Sequence, residues 1–348
     1  MPEGTQSVPL RRVALHAWSV CTLVATFILL CSGGIVTSKG VGMSVPDWPT
    51  TYGYNMFLFP ISGWVGGIFY EHSHRLIASG VGLMTMILAA SMLNCEPRRW
   101  VKTLGVVAFL AVCIQGLLGG MRVSLYKDEL GIFHGMLAQS FFCLLGIITI
   151  ATSPRFIRGG WDVFLPDTVL RNLAVAATAV IFLQLGLGAT MRHEHAGLSI
   201  PDFPLAYGEI LPDTSAQRIV EINEARIKDD QVPTTATHIW IQMVHRGVAL
   251  GILVLVAAVA VRSWSGLSHR SAAIWCSLWL CMILVQVGLG AWTIWSNKAA
   301  DIATAHMALG ALSLLAGVLI SFRLCRGVDS HRFLSPDVPA YKVFSSVA

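Results

Sequence analysis

Charge is scarce in this chain. Of its 348 residues only 12% are charged while 55% are hydrophobic, and the mean hydropathy is +0.66. A soluble globular domain carries about 25% charged residues, so that class is excluded. The apolar residues run continuously instead of alternating with polar ones, which excludes a lipid-facing β-barrel. No small-x-small cleavage site closes the first apolar run, and its length exceeds the roughly 7–15 residues of a signal-peptide core, so it is expected to be a retained helix. No long basic tract is present either. The net charge of +5 follows from loop asymmetry, and no nucleic-acid partner is expected.

The chain holds eight apolar stretches, near 13–36, 72–93, 102–120, 132–152, 171–190, 238–261, 272–293 and 302–322. Each approaches the roughly 20 residues that a helix needs to cross a bilayer. Fourteen Lys and Arg residues fall on the side of the N-terminus and eight on the opposite side, half of these in the one long segment 191–237. Short-loop basic bias therefore puts both termini in the cytoplasm. None of the eight cysteines lies in a loop predicted to face outward, so the oxidising side offers no thiol pair for a structural disulfide.

The chain repeats itself. His74-Arg75 returns as His245-Arg246, and His134 returns as His306 at almost the same offset. Gly-Val-Gly-Met-Ser-Val-Pro-Asp-Trp-Pro (40–49) is echoed by Ala-Gly-Leu-Ser-Ile-Pro-Asp-Phe-Pro (196–204). Four spans precede the polar linker and four follow it, so both halves enter the membrane in the same direction. The expected fold is an all-α integral membrane protein with eight transmembrane helices. They form two tandem four-helix bundles related by a pseudo-twofold axis along the membrane normal. The divisions are 1–152, a cytoplasmic linker 153–170, 171–325 and a cytoplasmic tail 326–348. The second copy has a longer first outer loop, and its charged insertion 209–232 has the composition of a short surface helix.

The four repeated histidines fall near the outer ends of the even-numbered spans. Within each half the two are separated by two membrane crossings, which returns the chain to the same depth. Histidine inside a membrane is rare and usually functional. Two imidazoles facing each other across a four-helix interior can take both axial positions of a haem iron. Zinc or copper would more naturally add Cys, Met or carboxylate ligands, which the repeat does not supply consistently.

Other residues carry two readings each. Gln115-Gly-Leu-Leu-Gly-Gly, Gln184-Leu-Gly-Leu-Gly and Gln286-Val-Gly-Leu-Gly recur near the outer ends of odd-numbered spans, with Ser32-Gly33-Gly34 at the same depth in the first. Small residues there serve close helix packing or leave room for a flat macrocycle. Arg75 and Arg246 either pair with haem propionates or snorkel to lipid headgroups. Glu71 stands three residues before His74 on the same helix face, where Gln242 precedes His245. It either relays protons at one reactive site or forms an interfacial pair with Arg75. His72, His193, His195 and His238 are ambiguous outer-side histidines, and His16, His269 and His331 are expected to be interfacial or solvated on the cytoplasmic side. The aromatics of loop 37–70 (Tyr52, Tyr54, Phe57, Phe59, Trp64) either cover a porphyrin and its tail or form an interfacial belt.

Glu71-x-x-His74-Arg75, His134, His245-Arg246 and His306 in an eight-span tandem repeat resemble the haem A synthase family, over about residues 12–325. The resemblance implies an oxidoreductase that turns the C8 methyl of haem O into the formyl group of haem A for cytochrome oxidase. It implies that His74 and His134 hold the iron of the substrate porphyrin, haem O or its product haem A. His245 and His306 then hold a haem b, and Glu71 matches the family's catalytic glutamate. It also implies partners: haem O as substrate, a haem O synthase, cytochrome oxidase assembly factors, an electron donor and membrane lipid. The bacterial cytoplasmic membrane is the implied location, with the haem sites toward the outer side. Many bacterial members carry a cysteine pair in the first outer loop. Loop 37–70 has none, so the resemblance does not extend to a thiol–disulfide step. The competing reading is a di-haem membrane cytochrome b that carries electrons without turning over a substrate. A haem transporter would need a site open to both sides, and four histidines at one depth oppose it.

Overall fold

The computed structural model describes residues 9–158, 167–265 and 270–332. Residues 159–166 of the linker, His269 and the tail beyond Arg332 lie outside the described residues, as does the side chain of His331. Eight helices are long and apolar enough to span a membrane. They are α1 (Leu10–Ser38), α2 (Gly66–Cys95), α3 (Arg99–Ser124), α4 (Leu130–Thr152), α6 (Thr168–His193), α8 (Ala236–Ser265), α9 (Arg270–Trp295) and α10 (Ala300–Arg332). Two shorter helices, α5 (Pro154–Ile157) and α7 (Ala216–Lys228), lie between spans. Among the described residues there is no named strand, and the protein is an all-helical integral membrane protein.

Each span runs past the apolar stretch that marks it. In lipid every backbone N–H and C=O must be paired within the chain, so the helix continues until the headgroup region or a side chain can take over. Asp167 does so for α6, accepting from Leu170 N–H at 3.0 Å while its other oxygen meets Arg262 at 2.9 Å. Ser153 caps α5 by accepting from Phe156 N–H at 3.1 Å. The buried residues of α2 show how a span meets its neighbours: Val81, Thr85, Leu88 and Met92 recur at helical spacing along one face.

The spans of each half touch in a ring, α1–α2–α3–α4 and back to α1, then α6–α8–α9–α10 and back to α6. These contacts are consistent with two tandem four-helix bundles. One apolar core fills the first ring (Leu15, Val81, Leu88, Met92, Val101, Leu145, Ile148), and a second fills the other around Trp279, Leu170, Val256 and Leu314. Along the seam α1 meets α10, and α4 meets α6 and α10. Lipid is as apolar as leucine, so helices associate by close packing. Gly34 of α1 lies against Met307 and Thr304, and Gly146 of α4 against Leu315. All eight cysteines are free, and Cys95 is the last residue of α2.

The loops 39–65 and 194–235, on one face, are built to the same plan. Asp47 accepts from the N–H groups of Tyr52 and Gly53 at 2.7 and 2.9 Å, and Asp202 accepts from Tyr207 and Gly208 at 2.7 and 2.8 Å. The tyrosine and glycine of each pair are left-handed, at φ 49° and 76° in one loop and 55° and 80° in the other. Glycine accepts that conformation without strain, and the carboxylate holds the tyrosine in it. The tyrosine hydroxyls then donate back to the carbonyls of Ser44 and Ser199. The second loop carries in addition the helix expected in the insertion, α7. Its Ile222 packs on Ile200, Ala206 and Ile239.

The first loop should be sensitive to acid. Burial alone would raise the Asp47 carboxyl, but bonds from Gly53, Thr50 and Tyr52 together outweigh it and hold it below the usual carboxylate range. A carboxyl depressed in the folded state contributes stability above its unfolded pKa and loses that stability as pH falls through the folded value. Hydrogen-exchange protection of the Tyr52 and Gly53 amides is expected to survive the usual carboxylate range on acidification and fail only below it. Asp47→Ala should lack that protection at neutral pH, and a variant as well protected as the parent would refute the clasp.

Candidate functional site

The four histidines all lie in the first three turns of helices that start at the loop face: His74 on α2, His134 on α4, His245 on α8 and His306 on α10. His134 lies within electrostatic range of His74, and His306 within that of His245, so the structure brings them together as one pair per half. Each residue is only partly buried, yet each Nδ1 is sealed and has no hydrogen-bond partner.

Against every ring stands a glycine of the preceding span. A Cβ on Gly33 would come 3.0 Å from His74 Cε1, and on Gly119 3.1 Å from His134 Cε1. On Gly188 it would come 3.3 Å from His245 Cε1, and on Gly290 3.1 Å from His306 Cε1. A side chain at any of these positions would push on an imidazole. One turn before three of these glycines, a glutamine grips the same histidine from behind. Gln115, Gln184 and Gln286 each donate from Nε2, at 2.8 Å, to the backbone carbonyls of His134, His245 and His306 respectively. The acceptor is a carbonyl, so the amide orientation is fixed by chemistry and each Oε1 is left as a buried oxygen without a partner. On α1 the corresponding position, four residues before Gly33, is Leu29.

This donor set fits a haem in each half. Two neutral imidazoles supply the axial nitrogens. Each Nδ1 is sealed, which leaves Nε2 as the ring nitrogen open to a bound iron, and the cradles a Cβ would fill fix each ring plane.

Glu71 and Gln242 occupy matching places and do matching work. Glu71 is buried, accepting from Val45 N–H at 2.8 Å with one oxygen and from Arg75 at 2.7 Å with the other. Gln242 is buried too, and its Oε1 accepts from Ile200 N–H at 2.8 Å. Both side chains therefore pin a loop to the helix that carries a histidine. Arg75 also donates to the carbonyls of Asp47, Val45 and Thr50 at 2.6, 2.8 and 3.1 Å. Arg246 donates to Asp202 and Leu205 carbonyls at 2.7 and 2.9 Å, keeping a buried Nε without a partner. Both arginines thus serve the loops from within, and neither reaches out as a lipid-facing snorkel.

A second cationic group gathers at the seam, and the repeat gave no sign of it. Arg122 at the end of α3 pairs with Asp128 at 2.6 Å. Burial would raise the Asp128 carboxyl, but the hydrogen bond and charge of Arg122 prevail and hold it low. Arg192 at the end of α6 donates to Gly34 carbonyl at 2.8 Å and to Ser38 Oγ. Burial and the neighbouring Arg192 keep Lys298 below the usual lysine range. The Arg122 charge reaches His74 and His134, and that of Arg192 reaches His306. Among the ambiguous histidines, His72 is fully buried, shares a hydrogen bond with Thr51 and packs on Phe59 and Trp64. It is a loop anchor, and those aromatics fold inward onto it. His193 lies 3.7 Å from Asp128 in the seam, His195 turns the chain at φ 54°, and His238 donates its backbone N–H to Thr235 Oγ1, which caps α8. His16, at the opposite face, lies 3.5 Å from Thr152 Oγ1.

A sequence model of one family, the cytochrome oxidase assembly proteins described as COX15-CtaA, matches residues 54–318. The chain belongs to that family. It is similar to the heme A synthase of Geobacillus kaustophilus, 26% identical over 334 residues that cover 92% of this chain and 93% of that one. It is also similar to the heme A synthase of Listeria monocytogenes serotype 4a, 26% identical over 211 residues (60% and 68%). That of Alkalihalophilus pseudofirmus is 29% identical over 205 residues (57% and 66%). The family match takes in Glu71 and all four histidines. Gly33 and Leu29 on α1 lie ahead of it.

The pinning role of Glu71 has a direct check. Glu71→Gln leaves an acceptor for Val45 N–H, as Gln242 does for Ile200, so exchange protection of that amide should be retained. Glu71→Leu should expose it, at a local cost of about 1–3 kcal/mol for a buried donor without a partner. Equal protection in the two variants would sink this account.

Proposed function

We propose that this protein is a haem A synthase, an integral membrane oxidoreductase that converts haem O to haem A for cytochrome oxidase by taking the C8 methyl to a formyl group. One observation carries the reading: a pair of imidazoles in each half, every ring backed by a glycine, in a chain of this family. In this reading the first half (1–152) takes the substrate, with its iron between His74 and His134. The second half (171–325) keeps a haem b between His245 and His306. Oxidising an unactivated methyl group needs redox chemistry that side chains lack, and bound haem supplies it.

The chain's own residues prepare the ground. The sealed Nδ1 atoms keep their protons and leave the other ring nitrogen for iron. Glu71, beside His74 and held by Arg75, is the proton-accepting group of the reactive half. Gln242 cannot accept a proton, so the second half is a support. Arg75 and Arg246 hold the clasps over the two sites, and the buried Nε of Arg246 is still free to meet an anion. Arg122 and Arg192 add cationic charge at the seam that would pair with the anionic propionates of a bound haem. The loop face is the outer side of a bacterial cytoplasmic membrane, with both termini in the cytoplasm. The lipid-soluble substrate arrives sideways from a haem O synthase or the bilayer, and the product leaves to oxidase assembly factors. Molecular oxygen is the oxidant, and a separate donor supplies the electrons that its activation consumes.

The decisive experiment is expression in a host that makes haem O but no haem A, followed by pigment extraction and chromatography. Haem A is expected with the parent chain. Glu71→Gln should abolish it while both low-spin haem signals persist, and His245→Ala with His306→Ala should remove the haem b signal. A folded, haem-loaded parent that yields no hydroxylated or formyl porphyrin would falsify the enzyme reading and leave a di-haem electron carrier.

A further inference from the structure

Three of the four histidines are held twice, and one is held once. Gln115, Gln184 and Gln286 tie the backbones of His134, His245 and His306 to the neighbouring helix, each one turn from the glycine that backs the ring. Positions four apart lie on one helix face, so glycine and glutamine act on the same partner residue. His74 has its glycine, Gly33, but Leu29 stands where the glutamine should be. Leucine offers no donor, and in lipid no water replaces it. A second difference runs the same way. The loop over His245 is braced by α7, where Arg226 donates to the Leu198 carbonyl at 3.0 Å and Asn223 exchanges two bonds with Thr234 at 2.7 and 3.0 Å. The first half has no matching helix among its described residues.

We propose that Gln115, Gln184 and Gln286 are positioning residues that lock three of the haem-ligating histidines, and that Leu29 leaves His74 as the one that releases, so porphyrin exchanges through His74. The inference rests on the haem reading above and deepens it: it says what separates a site for passing substrate from a site for a resident cofactor. Glutamine at position 29 would turn the first into the second.

The test uses the full chain loaded with haem O and haem b, chased with excess apomyoglobin, with the remaining pigments separated chromatographically at intervals. Haem O is expected to leave first. Gln184→Met keeps length and loses the donor, and should speed haem b loss about three- to tenfold, the factor one interhelical hydrogen bond represents. It should also shift the low-spin electron-resonance signal of that haem, because the backbone that carries its ligand His245 loses one tie to the neighbouring helix. Leu29→Gln should slow haem O loss by a similar factor, while Leu29→Met should not. Unchanged haem b loss in Gln184→Met overturns the proposal, as does unchanged haem O loss in a folded Leu29→Gln. If Leu29→Gln does not fold, Gln184→Met decides alone. Failure of the underlying reading would look different, as a parent chain with no bis-imidazole spectrum at all.

Discussion

An imidazole can stand between two membrane helices only if one of them gives up its side chain. That steric condition is met four times, at Gly33, Gly119, Gly188 and Gly290, and the remaining architecture follows from it. With no water at that depth, each ring must be oriented by the protein, and the histidine's backbone carbonyl, already paired within its own helix, keeps a second lone pair for a donor on the neighbouring helix. Close approach at the glycine brings the preceding turn of the same helix within reach of the histidine's carbonyl. Three glutamines exploit this. The loops complete the enclosure, each pinned by a buried side chain, Glu71 or Gln242, one turn from the ring it covers.

Duplication supplies two equal scaffolds, and a few substitutions make them unequal. Glu71 against Gln242 changes what the pinning residue can do with a proton while leaving the pin itself intact. Leu29 against Gln184 changes how firmly a ligand helix is held. The insertion that folds as α7 adds an apolar contact over one half through Ile222. Arg122 and Arg192 have no counterparts in the other copy and converge at the seam, where charge belongs to both halves at once. None of these changes disturbs the shared clasp of Asp47 and Asp202.

Spans, repeat and histidine pairs were legible in the sequence because hydropathy and spacing encode them directly. A run of apolar residues has one structural meaning in lipid, and a recurring offset between His-Arg pairs needs no coordinates. The charged insertion was legible too, since its composition suits a short surface helix. The recurring Gln and Gly were visible as a pattern, but not which residue they touch, because that depends on how two helices cross. Arg75 and Arg246 show the same limit. Their adjacency to histidines suggested anions or lipid headgroups, while the structure turns three donors of Arg75 and two of Arg246 to loop carbonyls. Those carbonyls belong to loops that turn through a left-handed tyrosine and glycine beyond each Asp. The Arg122 and Arg192 group left no trace in the repeat, since neither residue has a repeat mate.

Every bond that shapes a ligand closes inside its own half: each clasp, each glycine cradle and each glutamine grip. Only the seam contacts, such as Arg192 with Ser38 and Ser38 with Thr304, bridge the copies. A polypeptide severed between Arg158 and Asp167 would keep both nests whole, and the fragments would need one another for the seam contacts alone. The fused chain is in this sense a pair of subunits on one polypeptide, alike in plan and unequal in their sites.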